Sequence, residues 1–328
     1  MTGRGRWRAL GGGGAVVLLL ASTAGVGGAG VCAGVPLALL GAAVGRETED
    51  PRRAAPEGRF LTAADTTLFV QERGPADGPA VLFVHGSASW GGTWVPVMEG
   101  LAARGYRCAA VDLPPFGYSD RPADVSRPAQ ARRLVAAADA LGWDRFSLVG
   151  HSFGGGATVE AAALAGPRLD RLALVSAALG VEAPPGALGP LAWRPARRVL
   201  VSATLTHPAL VPAGLRAFAH RDAAVTPEVV ARYRRPLAVR GTTDAVADWL
   251  PELLAPADSP SRRAETYRAL EVRTLLLWGA EDQTTPVGQA EAVRDLLPDA
   301  RLEVWPGIGH LPQVEAPDDV VAALAGFL

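Results

Sequence analysis

Beyond about Phe60, short apolar and β-branched runs alternate with longer stretches in which Ala, Leu and Arg recur at helical spacing. The runs Leu68–Glu72, Ala80–His85, Arg107–Leu113, Phe146–Gly150, Leu172–Ser176, Thr274–Trp278 and Arg301–Trp305 read as strands, and these seven predict one wide sheet. Between them, Trp94–Arg104, Pro128–Leu141, Phe153–Ala165, Val287–Leu297 and a segment from Pro317 onward carry the helical pattern. Strands separated by helices return to the sheet by crossovers, so an α/β domain with a mainly parallel sheet is expected. The rhythm breaks after Ala178, where nearly a hundred residues pass before Thr274. Residues 181–265 hold helical stretches such as Pro227–Tyr233 and Thr243–Leu253, broken by repeated prolines, which predicts a small helical cap inserted between two parts of the core, 60–180 and 266–328.

The N-terminal part has a different pattern. No charge interrupts the Gly, Ala, Val and Leu between Arg8 and Arg46, and Arg4, Arg6 and Arg8 stand just before that run. A spanning helix needs about 20 apolar residues, so residues 1–45 are read as a membrane anchor, one span or a short hairpin, with an extracytoplasmic folded part. The alternative is a signal peptide with its apolar region at Ala15–Leu20, small Ser22 and Ala24, and secretion after cleavage. Cleavage there strands the apolar run Val31–Val44 on a soluble product, which favours retention. A lipid-modified Cys32 fits poorly, because Val31 stands where a small residue is wanted. Arg46, Arg52 and Arg53 follow the run and leave its orientation weakly decided. Residues 46–59, charged and Pro-containing, read as a linker.

Composition narrows the functions. The chain has 32 basic side chains, all arginine, against 33 carboxylates, so no basic excess drives binding to phosphate backbones and nucleic acid is not an expected partner. Cys32 and Cys108 are its two cysteines, too few for a disulfide framework or a Cys-rich metal site. There is no lysine for Schiff-base chemistry and no clustered His for a metal, so no cofactor or metal is expected. Oligomeric state is not specified by any of these patterns.

Directly after the strand Phe146–Gly150 comes Gly150-His151-Ser152-Phe153-Gly154, then Gly155, Gly156 and an Ala-rich helix. A nucleophile on a tight strand-to-helix turn occupies a sparsely populated backbone conformation, and side chains two positions either side of it would collide with their neighbours. Gly150, Gly154 and Gly156 remove those collisions. The turn lifts Ser152 clear of the sheet and sets the next amides at a helix N-terminus, where their partial positive charge suits an oxyanion. Gly-rich turns also recur for packing reasons alone. The reading gains weight because three other groups stand just beyond predicted strands, on the side where parallel sheets assemble sites.

The first is His85-Gly86-Ser87, where Gly86 lets the backbone turn so that the Ser87 amide can join that of Phe153 in an oxyanion hole. His85 is expected to bond nearby loops. The second is Trp278-Gly279-Ala280-Glu281-Asp282, with Asp282 the preferred acid and Glu281 expected to be solvated. The third is Gly307-Ile308-Gly309-His310. Of His85, His151, His207, His220 and His310, only His310 follows the acid at the end of the next strand.

The order Ser152, Asp282, His310 resembles the α/β-hydrolase superfamily, and within it the lid-bearing serine hydrolases, over about Phe60 to Leu328. Asp112-Leu113-Pro114-Pro115-Phe116-Gly117-Tyr118-Ser119-Asp120 is similar to that family's D-x-P-G-x-G-x-S segment, with Pro115 where Gly is usual. Gly309-His310-Leu311-Pro312-Gln313-Val314-Glu315 is similar to its G-H-x-P-x-x-E ending. The resemblance implies that Ser152 attacks a carbonyl, His310 moves its proton, Asp282 holds the imidazole, and the Ser87 and Phe153 amides hold the oxyanion.

Substrate class is less legible. The cap is rich in apolar residues, with Trp193, Phe218 and Trp249, which suits an apolar small-molecule or lipid ester and equally suits a small core of the cap itself. Arg197, Arg198, Arg234 and Arg235 suit a solvated face better than an anionic substrate. Ester hydrolysis ranks first; carbon-carbon bond hydrolysis and cofactor-free perhydrolysis use the same three groups and stay open. Epoxide and haloalkane hydrolysis need an Asp at the elbow, where this chain has Ser152. A non-catalytic small-molecule receptor is the alternative of another class.

Overall fold

The computed structural model describes residues 34–183 and 186–328, with side chains from Leu40 onward. In chain order come helix α1 (Gly34–Arg46), a short helix α2 (Pro51–Ala54), strands β1 (Arg59–Ala63), β2 (Thr66–Arg73) and β3 (Ala80–Val84), helix α3 (Val95–Ala102), β4 (Arg107–Val111), α4 (Arg127–Ala140), β5 (Phe146–His151), α5 (Gly154–Ala165) and β6 (Leu169–Val175). The insertion then supplies α6 (Arg194–Ala203), α7 (Val211–Phe218), α8 (Pro227–Arg234), α9 (Thr242–Leu254) and α10 (Ala264–Arg268). The chain closes with β7 (Thr274–Gly279), α11 (Val287–Arg294), β8 (Ala300–Trp305), α12 (Pro312–Glu315) and α13 (Pro317–Phe327).

The eight strands form one sheet in the order β1-β2-β4-β3-β5-β6-β7-β8. β1 and β2 pair antiparallel with each other, as do β2 and β4, and every pairing from β4 through β8 is parallel. Alternation along the strands sorts the core into two layers. Leu82, Val84, Leu148, Leu174, Leu276 and Trp278 face α4, α5 and α11, whereas Val81, Phe83, Val149, Val175, Leu275 and Leu277 face α3 and α13. Covered on both faces, these strands are the near-continuous apolar runs by which they are recognised in the sequence.

Only the end of the N-terminal stretch lies among the described residues. No helix among the described residues is long and apolar enough to cross a membrane. Arg4, Arg6, Arg8, Ala15–Leu20, Ser22, Ala24 and Cys32 lie outside the described residues. The end of the stretch read as an anchor belongs to α1, which packs along α6 and buries Ala43. The stretch read as a linker is tied to the cap: Glu47 accepts the Thr243 amide at 2.9 Å and the Thr243 hydroxyl, capping α9, and Glu49 bridges to Val239. Burial pushes the Glu47 carboxyl above the usual carboxylate range, against the pull of its Thr243 donors.

Candidate active site

The order reverses at the β3/β5 pair, since the chain leaves β3 for β4 on one side and returns to β5 on the other. Parallel sheets open a crevice beyond the carboxyl ends of their strands at such a point. Ser152 stands there, immediately after β5, with His85 just after the neighbouring β3. Its backbone has φ +50°, and both sides of the turn are pinned: the Ser152 amide donates to the Val175 carbonyl at 3.1 Å, and its carbonyl accepts from Gly155 at 2.9 Å and Ala178 at 2.8 Å. The flanking glycines are required by contact. A Cβ on Gly150 would lie 2.3 Å from the Thr158 hydroxyl, and one on Gly154 would lie 2.2 Å from the His85 carbonyl oxygen.

Three side chains from three strand ends meet in one hydrogen-bonded chain. Ser152 Oγ lies 2.8 Å from Nε2 of His310, and Nδ1 of His310 lies 2.8 Å from Oδ2 of Asp282. All three residues are buried. Burial alone would raise the Asp282 pKa, but His310 and the Thr285 donors outweigh it and hold the carboxyl below its ordinary range. The carboxylate is fixed by its own turn: Oδ1 accepts the amides of Thr284 and Thr285, both at 2.9 Å, and Oδ2 accepts the Thr285 hydroxyl at 2.7 Å. Sequence reasoning passed over Thr285. The signal was present, since Asp followed by Thr three residues on is a side-chain-capped turn.

Ser87 and Phe153 line the cavity beside Ser152, and neither amide donates to a protein acceptor among the described residues. Gly86 makes that approach possible, because a Cβ there would sit 2.8 Å from the Ser152 Cβ. His85 ties two loops together: its Nδ1–H donates to the Gly86 carbonyl at 2.7 Å and its Nε2 accepts the Leu113 amide at 2.9 Å. That arrangement requires a neutral imidazole, and burial pushes its pKa down to about 4. His151, inside the elbow, is pushed down by burial to about 3 and donates from Nε2 to the His310 carbonyl at 2.9 Å.

Asp112 organises the Pro114-Pro115 loop, accepting the Gly91 amide at 2.6 Å and the Tyr118 amide at 2.8 Å. Burial raises its carboxyl to about 7. Gly117 has φ +64° and passes so close to Asp112 that a Cβ would lie 2.0 Å from its Oδ2, so the glycine needed by this loop is at 117 and Pro115 is accommodated. Glu281, expected to be solvated, is half-buried and accepts the Ile308 amide at 3.1 Å.

Over Ser152 the cap encloses a cavity of about 440 Å³, walled by Leu205, Val211, Leu215, Phe218, Leu237, Leu253 and Leu254, with Tyr233 and Glu252 among its polar groups. Of the three cap aromatics, Phe218 reaches this cavity. Trp249 stacks edge-on against Phe116 and Phe153 in an apolar seam between cap and core, and Trp193 is exposed. Arg198 pairs with Asp244, and Arg197 holds the carbonyls of Leu191 and Ala247. Among the described residues no group of His, Cys, Asp and Glu has the arrangement of a metal site.

A hydroxyl, imidazole and carboxylate in line beneath a lidded cavity, on a sheet of this order, define a hydrolase of the α/β class. The chain belongs to the α/β-hydrolase fold family, whose model matches residues 79–317. An uncharacterized protein of Mycobacterium tuberculosis is 30% identical over 272 residues, which cover 76% of this chain and 75% of that protein. The 2-hydroxymuconate semialdehyde hydrolase of Pseudomonas putida is 28% identical over 285 residues, covering 85% of this chain and 96% of its own. Among solved structures, a membrane phospholipase A described as a bacterial virulence factor superposes with a TM-score of 0.65 at 26% identity, covering 95% of this chain and 96% of that one.

Proposed function

We propose that this chain is a serine hydrolase that cleaves esters of apolar small molecules or lipids through an acyl-enzyme on Ser152. The observation that carries the reading is the 2.8 Å contact between Ser152 Oγ and His310 Nε2 at the floor of a cavity with mainly apolar walls. His310 Nε2 takes the hydroxyl proton as Oγ bonds to the ester carbonyl carbon, and Asp282 stabilises the imidazolium through Nδ1–H. The carbonyl electrons move onto oxygen, held by the Ser87 amide in the turn after β3 and the Phe153 amide at the N-terminus of α5. Collapse expels the alcohol, which takes the proton from His310. Water, deprotonated by the same imidazole, then releases the acid and restores Ser152.

The second reading is carbon-carbon bond hydrolysis, favoured by the likeness to 2-hydroxymuconate semialdehyde hydrolase. A charged ring-fission substrate needs a cation to meet it. Among the described residues two guanidinium groups line the cavity, and their terminal nitrogens are engaged: Arg127 donates to the carbonyls of Ala178 and Leu179 and to the Ser261 hydroxyl, its Nε alone lacking a partner, and Arg262 donates to the carbonyls of Pro256 and Ala183. That commitment ranks the ester first. Purified protein is tested on p-nitrophenyl esters of increasing acyl length and on a ring-fission dienone. Ester turnover that peaks at medium or long chains supports the proposal, and dienone cleavage with ester inertness overturns it.

Membrane attachment is part of the proposal. The uncharged run from Ala9 to Ala33 is long enough for one span and leads into α1, which leans on the cap. The likeness to a membrane phospholipase A extends over nearly the whole chain. Carbonate washing of membranes followed by N-terminal sequencing tests it: retention with an intact N-terminus is expected, and a soluble product beginning near Gly25 contradicts it.

A further inference from the structure

One buried carboxylate outside the Ser152–His310–Asp282 chain is shared by two segments far apart in sequence. Glu315, in α12, receives the amide of Gly309 at 3.1 Å and that of Leu311 at 3.2 Å on Oε1, so this oxygen holds both neighbours of His310. Its other oxygen, Oε2, receives the amides of His220 at 2.8 Å and Arg221 at 2.9 Å, from the cap segment that follows α7, and shares the Gly309 amide at 3.2 Å. Arg221 reaches back, donating from Nε to the Gly307 carbonyl at 2.9 Å. The His310 amide itself donates to the Phe218 carbonyl at 2.8 Å, and the rings of these two residues lie 5.8 Å apart. The approach is close enough that a Cβ on Gly309 would fall 2.6 Å from the His220 nitrogen. Beneath this polar clamp, Leu311 and Val314 share a small apolar core with Leu215, Val230 and Tyr233 of the cap.

We propose that Glu315 is a positioning residue that joins the cap to the catalytic base. Oε2 holds the cap amides of His220 and Arg221, Oε1 holds that of Leu311, the Gly309 amide spans both oxygens, and the cap segment and the His310 loop move as one body. The inference rests on the reading of Ser152 and His310 as nucleophile and base. Four amide donors converge on one buried carboxyl group, and a buried N–H that loses its acceptor is costly. The cavity wall formed by α7 and α8 is therefore part of the mounting of the imidazole, and opening for substrate falls to the rest of the cap. A glutamine keeps the volume but turns one acceptor oxygen into an NH2 group that faces amide donors.

The test uses the full chain and the rate at which a fluorophosphonate modifies Ser152, measured at several probe concentrations to separate the maximal rate from the half-saturating concentration. Glu315→Gln is expected to lower the maximal rate about 10- to 100-fold, the scale of a small misplacement of a catalytic group. The half-saturating concentration should change less than the maximal rate, because Glu315 itself does not line the cavity. Arg221→Ala keeps the backbone amides and should lower the rate about threefold, the scale of one ordinary hydrogen bond. It also decides the matter if Glu315→Gln does not fold, since an unchanged rate in folded Arg221→Ala then overturns the coupling. Wild-type labelling with an undiminished Glu315→Gln rate overturns the coupling alone. A rise in the half-saturating concentration that accounts for the whole loss also overturns it. A wild-type chain that does not label at Ser152 overturns the coupling together with the reading beneath it.

Discussion

The Thr285 hydroxyl lies 2.7 Å from Oδ2 of Asp282, the same oxygen that meets Nδ1 of His310 at 2.8 Å. The acid is thus oriented from its own turn before the imidazole reaches it. Thr285→Val keeps the side-chain shape and removes that donor. Turnover of a p-nitrophenyl ester is expected to fall about 10-fold, the scale of a lost hydrogen bond to a charged group. Steady-state kinetics on the valine variant checks this, measured well below its melting temperature so that the fold is intact.

Gly154→Ala places a methyl group 2.2 Å from the His85 carbonyl oxygen, a backbone atom that cannot swing aside. Either the elbow or the loop bearing Ser87 must move. The expected outcome is a loss of activity of about 100-fold from the displaced oxyanion donors. The stability loss should be about 1–3 kcal/mol, as for other overpacked sites. Chemical denaturation and ester kinetics on the same preparation measure both.

His85 gives the protein a pH dependence of known sign. Its ordinary pKa is 6.5 and burial pushes it down to about 4 in the folded chain. Between those values the unfolded chain binds a proton that the folded chain does not, so stability falls as pH drops from 6.5 to 4. His85→Gln does not titrate there. The wild-type advantage in denaturant midpoint over His85→Gln should therefore shrink across that window, and a constant difference from pH 7 to pH 4 contradicts the neutral imidazole.

Asp112 carries the opposite sign. Burial raises it from 3.8 to about 7, so its protonated form favours the folded state fully below pH 3.8, and that contribution is lost as pH rises through 7. Asp112→Asn removes the titration. Its gap to wild type in denaturant midpoint should be widest near pH 4 and narrow toward pH 8, which a pH series of unfolding curves measures.

Strands with two covered faces, such as β5 and β7, were legible because their apolar runs need no alternation. β1 was not: Arg59–Ala63 is a five-residue edge strand with polar positions facing solvent, beginning at the last residue of the stretch read as a linker. Ser152, Asp282 and His310 could be named because each follows a strand directly, so position along the chain stands in for position in space. The contacts of Glu315 with His220 and Arg221 have no such signal. They join a motif near the C-terminus to a cap loop about ninety residues earlier, through backbone amides that every residue type except proline carries. Thr285 lies between these cases, legible as a turn and silent about its second contact with His310 at 3.3 Å.

The central claim is that Ser152 is a nucleophile activated by His310, and covalent labelling tests it most directly. Folded protein is incubated with a fluorophosphonate and its intact mass and peptide map are recorded, with Ser152→Ala and His310→Ala alongside. The account predicts one adduct per chain, mapped to Ser152, absent in Ser152→Ala and slowed by several orders of magnitude in His310→Ala. Unmodified wild-type protein, or a Ser152→Ala variant that labels as fast as wild type, contradicts it.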